Sequence, residues 1–189
     1  MTSIVVVKKN NIVTIAADTL TKWGSGKETA EHIINSSKIL NLKGNYVGVT
    51  GNATFKLVLN DYFSSRENIN LSSVSEIFST WNKLHGVLKS NYYLLPEEDK
   101  DDSIESSRMD VLIANIHGIF GVSGHRTVQE FSKYYAYGSG SDYALGALWS
   151  LYESSLESPE LARKAIEAAA EFDDGTGLPI DVFTINLAQ

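Results

Sequence analysis

The sequence predicts an α+β fold, a four-layer αββα sandwich in which two antiparallel sheets pack face to face and a helix pair covers each outer side. Three observations predict it. Several short β-rich runs are bounded by turn residues, the signature of strands and hairpins. Two stretches change to an apolar period near four, each with room for two helices. The resulting order is strands, two helices, strands, two helices, strand, which lacks the strict alternation of a doubly wound parallel sheet.

Residues 4–7 and 12–17 are β-rich and are joined by Lys8-Lys9-Asn10-Asn11, a polar hairpin connection. Residues 18–27, polar and carrying Gly24 and Gly26, read as a loop. Residues 38–42 and 46–50 flank a Lys43-Gly44-Asn45 turn and form a second hairpin, so four strands fall within the first fifty residues. From Asn52 onward Phe55, Val58, Leu59, Tyr62 and Phe63 share one helical face. Ser72 or Ser73 caps a longer helix with a stripe of Val74, Ile77, Phe78, Trp81, Leu84, Leu88 and Tyr92. Pro96 and the acidic stretch 97–102, a solvated loop, end it.

Strands at 111–115 and 119–122 surround a His117-Gly118 turn, and shorter ones follow at 128–131 and 134–137. Helical spacing returns over 143–152 and again over 161–172. The second of these helices starts at Ser158-Pro159-Glu160, where a proline in the first turn costs no hydrogen bond. A strand at 180–185 closes the chain. With 189 residues and no internal repeat or low-complexity linker, 1–189 reads as one domain.

The formal net charge is −7, whereas a face that grips a phosphate backbone carries a basic excess, so nucleic acid is not an expected partner. Absence of cysteine removes disulfides, thiol nucleophiles and Cys-ligated zinc. No apolar run reaches the roughly 18 residues of a membrane span. The start, Met-Thr-Ser-Ile-Val-Val-Val-Lys-Lys, lacks the basic head and longer apolar run of a secretory signal, so the cytoplasm is the expected location.

His32, His85, His117 and His125 form no His-x-x-x-His pair, and neither a metal nor another cofactor is expected. Gly24-Ser25-Gly26-Lys27 fails as a phosphate loop because position 21 is Thr and position 28 is Glu. Gly138-Ser139-Gly140 opens a helix after a strand but has Tyr143 where a dinucleotide motif needs its third glycine. Its backbone N–H groups remain able to receive an anion or a polar side chain.

Chemistry without cysteine or a histidine pair can use an N-terminal threonine, whose own α-amine serves as base. Removal of Met1 exposes both groups on Thr2, and an unperturbed α-amine titrates at about 7.7–8.0, close to the working range of a general base. A neighbouring ammonium lowers that value further. Asp18 ends the second strand, Lys38 opens the third, and Gly51 follows the fourth, where backbone N–H groups can face a developing oxyanion.

The chain resembles the proteasome β-type family of N-terminal-nucleophile hydrolases, and within it a bacterial proteasome homologue related to the HslV peptidase. The resemblance rests on Thr2-Ser3-Ile4-Val5, Ala16-Ala17-Asp18, the strand-opening Lys38, Gly48-Val49-Thr50-Gly51-Asn52 and Gly138-Ser139-Gly140-Ser141-Asp142-Tyr143-Ala144. It finishes with Ala168-Ala169-Ala170-Glu171-Phe172-Asp173-Asp174-Gly175-Thr176-Gly177 before the last strand. The pieces lie in order across essentially the whole chain. The bacterial likeness also draws on its length and on the lack of a propeptide in this sequence.

The resemblance implies a threonine peptidase with Thr2 as nucleophile, Asp18 and Lys38 as a buried ion pair, and Gly51 as the oxyanion donor. It implies that Ser139, Asp173 and Thr176 hold the amine and its water. Val49 lines the first specificity pocket and favours small or medium apolar side chains, with Thr21 as a second substrate contact. Asn52 stands where relatives often have a second glycine, Thr176 replaces the usual serine, and the stretch before Lys38 is some residues longer than usual. The implied partners are peptide or unfolded protein substrates, further copies of the chain in stacked rings, and an ATP-dependent unfoldase.

Two other readings use the same architecture: a non-catalytic ring subunit, and an amidase acting on a small molecule. Trp149 and Tyr152 beside Leu148 and Leu151, and Tyr92 beside Tyr93, give more aromatic surface than one small domain readily hides, which favours self-association.

Overall fold

A computed structural model describes residues 2–95 and 103–188. In chain order the elements are β1 (Ser3–Lys9), β2 (Ile12–Asp18), β3 (Thr21–Trp23), β4 (Gly26–Glu28), β5 (Ile39–Leu42), β6 (Asn45–Val49), α1 (Thr54–Ser64) and α2 (Val74–Asn91). They continue with β7 (Val111–Asn115), β8 (Gly118–Val122), β9 (Val128–Phe131), β10 (Tyr134–Gly138), α3 (Ser141–Leu151), α4 (Ser158–Phe172) and β11 (Ile180–Asn186). One sheet has the order β10-β1-β2-β11, a second has β5-β6-β7-β8-β9, and β3-β4 is a separate two-stranded hairpin. Every pairing is antiparallel.

Strand periodicity decides the layers. Ile4 and Val6 of β1, Val13, Ile15 and Ala17 of β2, and Leu112 and Ala114 of β7 turn inward and fill the space between the two large sheets. Val5, Val7 and Ala16 turn the other way, onto Ala144, Leu148, Leu161, Ala165 and Ala169 of α3 and α4. From the second sheet Val47, Val49, Val111, Ile113 and Phe120 face Leu59, Phe63, Ile77, Trp81 and Leu84 of α1 and α2. The layers are helix, sheet, sheet, helix. Central strands covered on both faces read as continuous apolar runs, which is why 4–7 shows no alternation. Tyr46 stacks on Phe183 and Phe131 on Tyr135, each pair reaching from one sheet to the other, with centroids 4.9 and 4.3 Å apart.

Several local expectations need correction. The first hairpin turns on Asn10-Asn11 alone, with φ of 51° and 62°, so Lys8 and Lys9 belong to β1. Positive φ at both central residues is what a two-residue primed turn demands, and asparagine tolerates it. Residues 18–27 are not all loop: they contain β3 and begin β4, so six strands rather than four lie in the first fifty residues. The successive strands β9 and β10 pair with β8 and β1 respectively and therefore belong to different sheets.

At the helices, Ser73 is the cap of α2 and accepts from the Glu76 N–H at 3.4 Å. Its buried face is Ile77, Trp81, Leu84, His85 and Leu88, while Val74 and Phe78 are exposed. The helix ends at Asn91, and Tyr93 takes a left-handed φ of 55°, so it stops before Pro96. Pro96 and the acidic stretch 97–102 lie outside the described residues. The α4 start has Pro159 in its first turn and a capping box in which Glu157 and Glu160 bond reciprocally to the backbone.

Candidate active site

Antiparallel pairing gathers one end of the sandwich into a site. The start of β1 lies beside the end of β2, with Ile4 opposite Ala17, and beside the end of β10, with Ser3 opposite Gly138. The start of β11 places Ile180 opposite Asp18. In the other sheet the start of β5 meets the end of β6, with Ile39 opposite Gly48. Thr2, Asp18, Lys38, Gly51 and Ser139 thus come from strand ends far apart in sequence, and Asp173 and Thr176 from the turn between α4 and β11.

Asp18 is wholly buried and accepts from four donors. Its Oδ1 receives the Ser3 N–H at 2.9 Å and the Lys38 ammonium at 2.7 Å, and its Oδ2 receives the N–H groups of Leu20 and Gly177, both at 3.1 Å. Burial pushes its pKa up, opposed chiefly by the charge of Lys38. Burial likewise pushes Lys38 down, opposed chiefly by Asp18. The pair is viable because hydrogen bonds occupy the carboxylate on every side.

The Thr2 carbonyl accepts the Ser139 N–H at 2.9 Å. Ser139 Oγ in turn donates to Asp173 Oδ2 at 2.7 Å, and Thr176 Oγ1 donates to the same oxygen at 2.6 Å. Burial raises the Asp173 pKa, but the bonds from Thr176, Ser139 and the Gly175 N–H, with the positive chain terminus, together outweigh it, and the carboxylate is held below its ordinary 3.8. Two residues that lie within the sequence motifs but were assigned no role at the site complete this cluster. Ser3 Oγ lies 2.6 Å from Thr176 Oγ1 and accepts the Gly140 N–H at 3.1 Å. Gly138, at φ +104°, brings the backbone so close that a Cβ there would lie 1.8 Å from the Thr2 carbonyl oxygen.

A pocket of about 230 Å³ opens onto Thr2 and Lys38. Val49, Gly51 and Thr21 also line it, so five of the nine residues singled out in the sequence share one cavity wall. Of the other four, Asp18 lies behind Lys38, and Ser139, Asp173 and Thr176 lie on the side of the Thr2 backbone. Gly51 has φ +104°, and a Cβ there would lie 2.7 Å from the Arg108 carbonyl oxygen. Lys22, Trp23 and Lys56 line the pocket as well and carried no signal in the sequence. Among the described residues no cluster of His, Asp or Glu is arranged to hold a metal ion. No helix among them is long and apolar enough to cross a membrane.

Two antiparallel sheets between helix pairs, with β1 carrying a threonine at its head, define the N-terminal-nucleophile hydrolase fold. No protein-family model matches the chain. It is 53% identical to Thiobacillus denitrificans BPH in a structure of that protein in complex with epoxomicin, with a TM-score of 0.93 over 99% of this chain and 100% of that one. A second structure of Thiobacillus denitrificans BPH gives 54% identity and a TM-score of 0.94 over 98% of both chains. Eukaryotic HslV from Trypanosoma brucei shares the fold at 16% identity, with a TM-score of 0.68 over 97% of this chain and 99% of that one. A 56-residue stretch is 52% identical to proteasome subunit beta 1 of Pyrobaculum calidifontis and spans 28% of each chain. The chain belongs to the family of proteasome β and HslV-like proteins.

Proposed function

We propose that the chain is a threonine-type endopeptidase of a self-compartmentalised ring assembly, with Thr2 as nucleophile and its own α-amine as base once Met1 is removed. The observation that carries this reading is the meeting of Thr2 and the Asp18-paired Lys38 at one pocket. Thr2 Oγ attacks the scissile carbonyl carbon and its proton passes to the α-amine. The carbonyl oxygen gathers negative charge and accepts from the Gly51 N–H. Collapse breaks the C–N bond, and the protonated amine returns its proton to the leaving amine. Water then attacks the ester with the α-amine again as base, which frees Thr2 Oγ and the new carboxylate.

Lys38 keeps the amine unprotonated by like-charge repulsion. Ser139, Asp173 and Thr176 hold the amine and its water, while Val49 and Thr21 contact the substrate, Val49 favouring small or medium apolar side chains. No cofactor takes part. Residues 1–189 act as a single proteasome β-like domain in the cytoplasm, on peptide or unfolded protein substrates, in stacked rings of identical subunits. An ATP-dependent unfoldase is a candidate partner.

Intact mass of the protein from its natural host tests the first requirement, the loss of Met1. The mature protein is then treated with epoxomicin and with fluorogenic peptides. An adduct located at Thr2, together with turnover that disappears in Thr2→Ala while assembly persists, is the expected result. Turnover that survives Thr2→Ala overturns the nucleophile. Retained Met1, no adduct and no turnover identify a non-catalytic subunit, and cleavage of free amides but not peptides identifies a small-molecule amidase.

A further inference from the structure

Three lysines line the pocket at Thr2, namely Lys22, Lys38 and Lys56, and no carboxylate lines it among the described residues. Two of these charges are balanced. Lys38 is paired with Asp18 at 2.7 Å, and Lys22 forms an ion pair with the exposed Asp174. Lys56 differs. It has no ion pair among the described residues, and its ammonium is held by two neutral acceptors, the carbonyls of Asn35 and, at 2.7 Å, Ser37. Those bonds fix where the ammonium sits and use two of its three N–H donors.

Burial pushes the Lys56 pKa down, and the like charge of Lys38 pushes the same way more strongly than the charge of Asp181, which is not ion-paired with it, pushes back. The pocket therefore presents a held, partly desolvated cation with no anion beside it, next to the apolar surface of Val49 and Ala53. An aliphatic stem ending in a carboxylate matches that combination of surfaces. A charge-assisted bond made away from bulk water is stronger than its neutral counterpart.

We propose that Lys56 sets the specificity of this pocket by receiving an acidic substrate side chain, so that peptides are cut preferentially after glutamate or aspartate. The inference rests on the peptidase reading and extends it, since Val49 alone selects only for size and apolarity. Glutamine is the discriminating comparison because it has the shape of glutamate without the charge.

The test uses the assembled, Met1-free protein and three fluorogenic peptides that differ only in having Glu, Gln or Val before the scissile bond. The Glu peptide is expected to exceed the Gln peptide in kcat/KM by about tenfold or more. Lys56→Met is expected to erase that preference through a higher KM for the Glu peptide, so that the ratio of Glu to Gln kcat/KM falls to about one. Lys56→Arg is expected to retain it. Equal cleavage of Glu and Gln peptides by the unaltered protein, or a preference that survives Lys56→Met, overturns the role of Lys56 and leaves the peptidase reading intact. Loss of Val-peptide turnover in Lys56→Met also overturns it, since Lys56 then acts by supporting the 35–37 backbone. Failure to cleave all three peptides, with no Thr2 adduct, overturns the peptidase reading and this inference together.

Discussion

Lys38 is the residue at which electrostatics and stability are most tightly joined. Its ammonium reaches a fully buried carboxylate and lines the pocket at Thr2. Lys38→Ala is expected to lower kcat by about a hundredfold or more, the scale of a lost acid–base contribution. It is also expected to destabilise the fold by about 3 kcal/mol, because removing one partner of a buried pair strands the other. Steady-state kinetics and thermal unfolding measure the two effects, and near-normal rates in a folded variant would reduce Lys38 to a structural role. The acid limb of kcat/KM separates the groups further. An α-amine must be unprotonated to act as base, so activity rises with pH through its titration, below about 7.7–8.0 where Lys38 lowers it. Asp173 contributes nothing to that limb. Its folded pKa lies below 3.8, so its stabilising effect is complete above that pH and is lost only as pH falls through the lower folded value. An acid limb near pH 4 would transfer the base from the amine to a carboxylate.

Strand ends, more than any single side chain, bring the site together. Gly138 ends β10 against the head of β1, and its φ of +104° together with the 1.8 Å approach to the Thr2 carbonyl leaves no place for a Cβ. Gly138→Ala is expected to cost about 2 kcal/mol or more and to displace Thr2 from Ser139, reducing peptide turnover and Thr2 labelling together. Calorimetry and adduct mass measure both, and an unchanged melting temperature with full labelling would mean that β10 shifts without strain. The same elements explain what the sequence could and could not reveal. Strands buried on both faces and helices with apolar stripes were legible because burial imposes a period on the chain. The β3–β4 hairpin was not, since its six residues are exposed or only half-buried and impose none. The division of β9 and β10 between two sheets was hidden because pairing partners lie far away in sequence. Thr2, Asp18, Lys38 and Gly51 were legible through motifs at strand ends. The Gly138-Ser139-Gly140 start was legible as well, since a backbone N–H there does receive a polar side chain, but that Ser3 is the partner was not, because the contact spans more than a hundred residues.

At the scale of the whole molecule, apolar surface remains on both helix layers. Trp149 is 80% exposed and Phe172 68% on the α3–α4 side, with Phe172 tilted against Tyr143 at 5.6 Å. On the α1–α2 side Phe78 is 47% exposed and Leu57 57%, with Tyr93 beyond the helix end at 84%. Burying these groups against further copies of the chain removes them from water, at roughly 25 cal/mol per Å² of apolar area. A ring needs two different surfaces on each subunit, because head-to-tail contacts are heterologous, whereas the stacking of two rings needs one self-complementary surface. Patches on opposite layers of one sandwich supply more than one surface, which a simple two-fold dimer does not require. Light scattering at micromolar concentration is therefore expected to report a species of many subunits. Trp149→Glu, on the outer face of α3, is expected to shift the mass downward while far-ultraviolet dichroism stays unchanged. If Trp149 instead lies on a free surface, the mass stays unaltered, and the contact must then be sought on the α1–α2 layer. A strictly monomeric mass for the folded, unaltered protein would remove the chamber altogether and leave the Thr2 pocket open to solvent, an arrangement at odds with an unregulated peptidase among other cellular proteins.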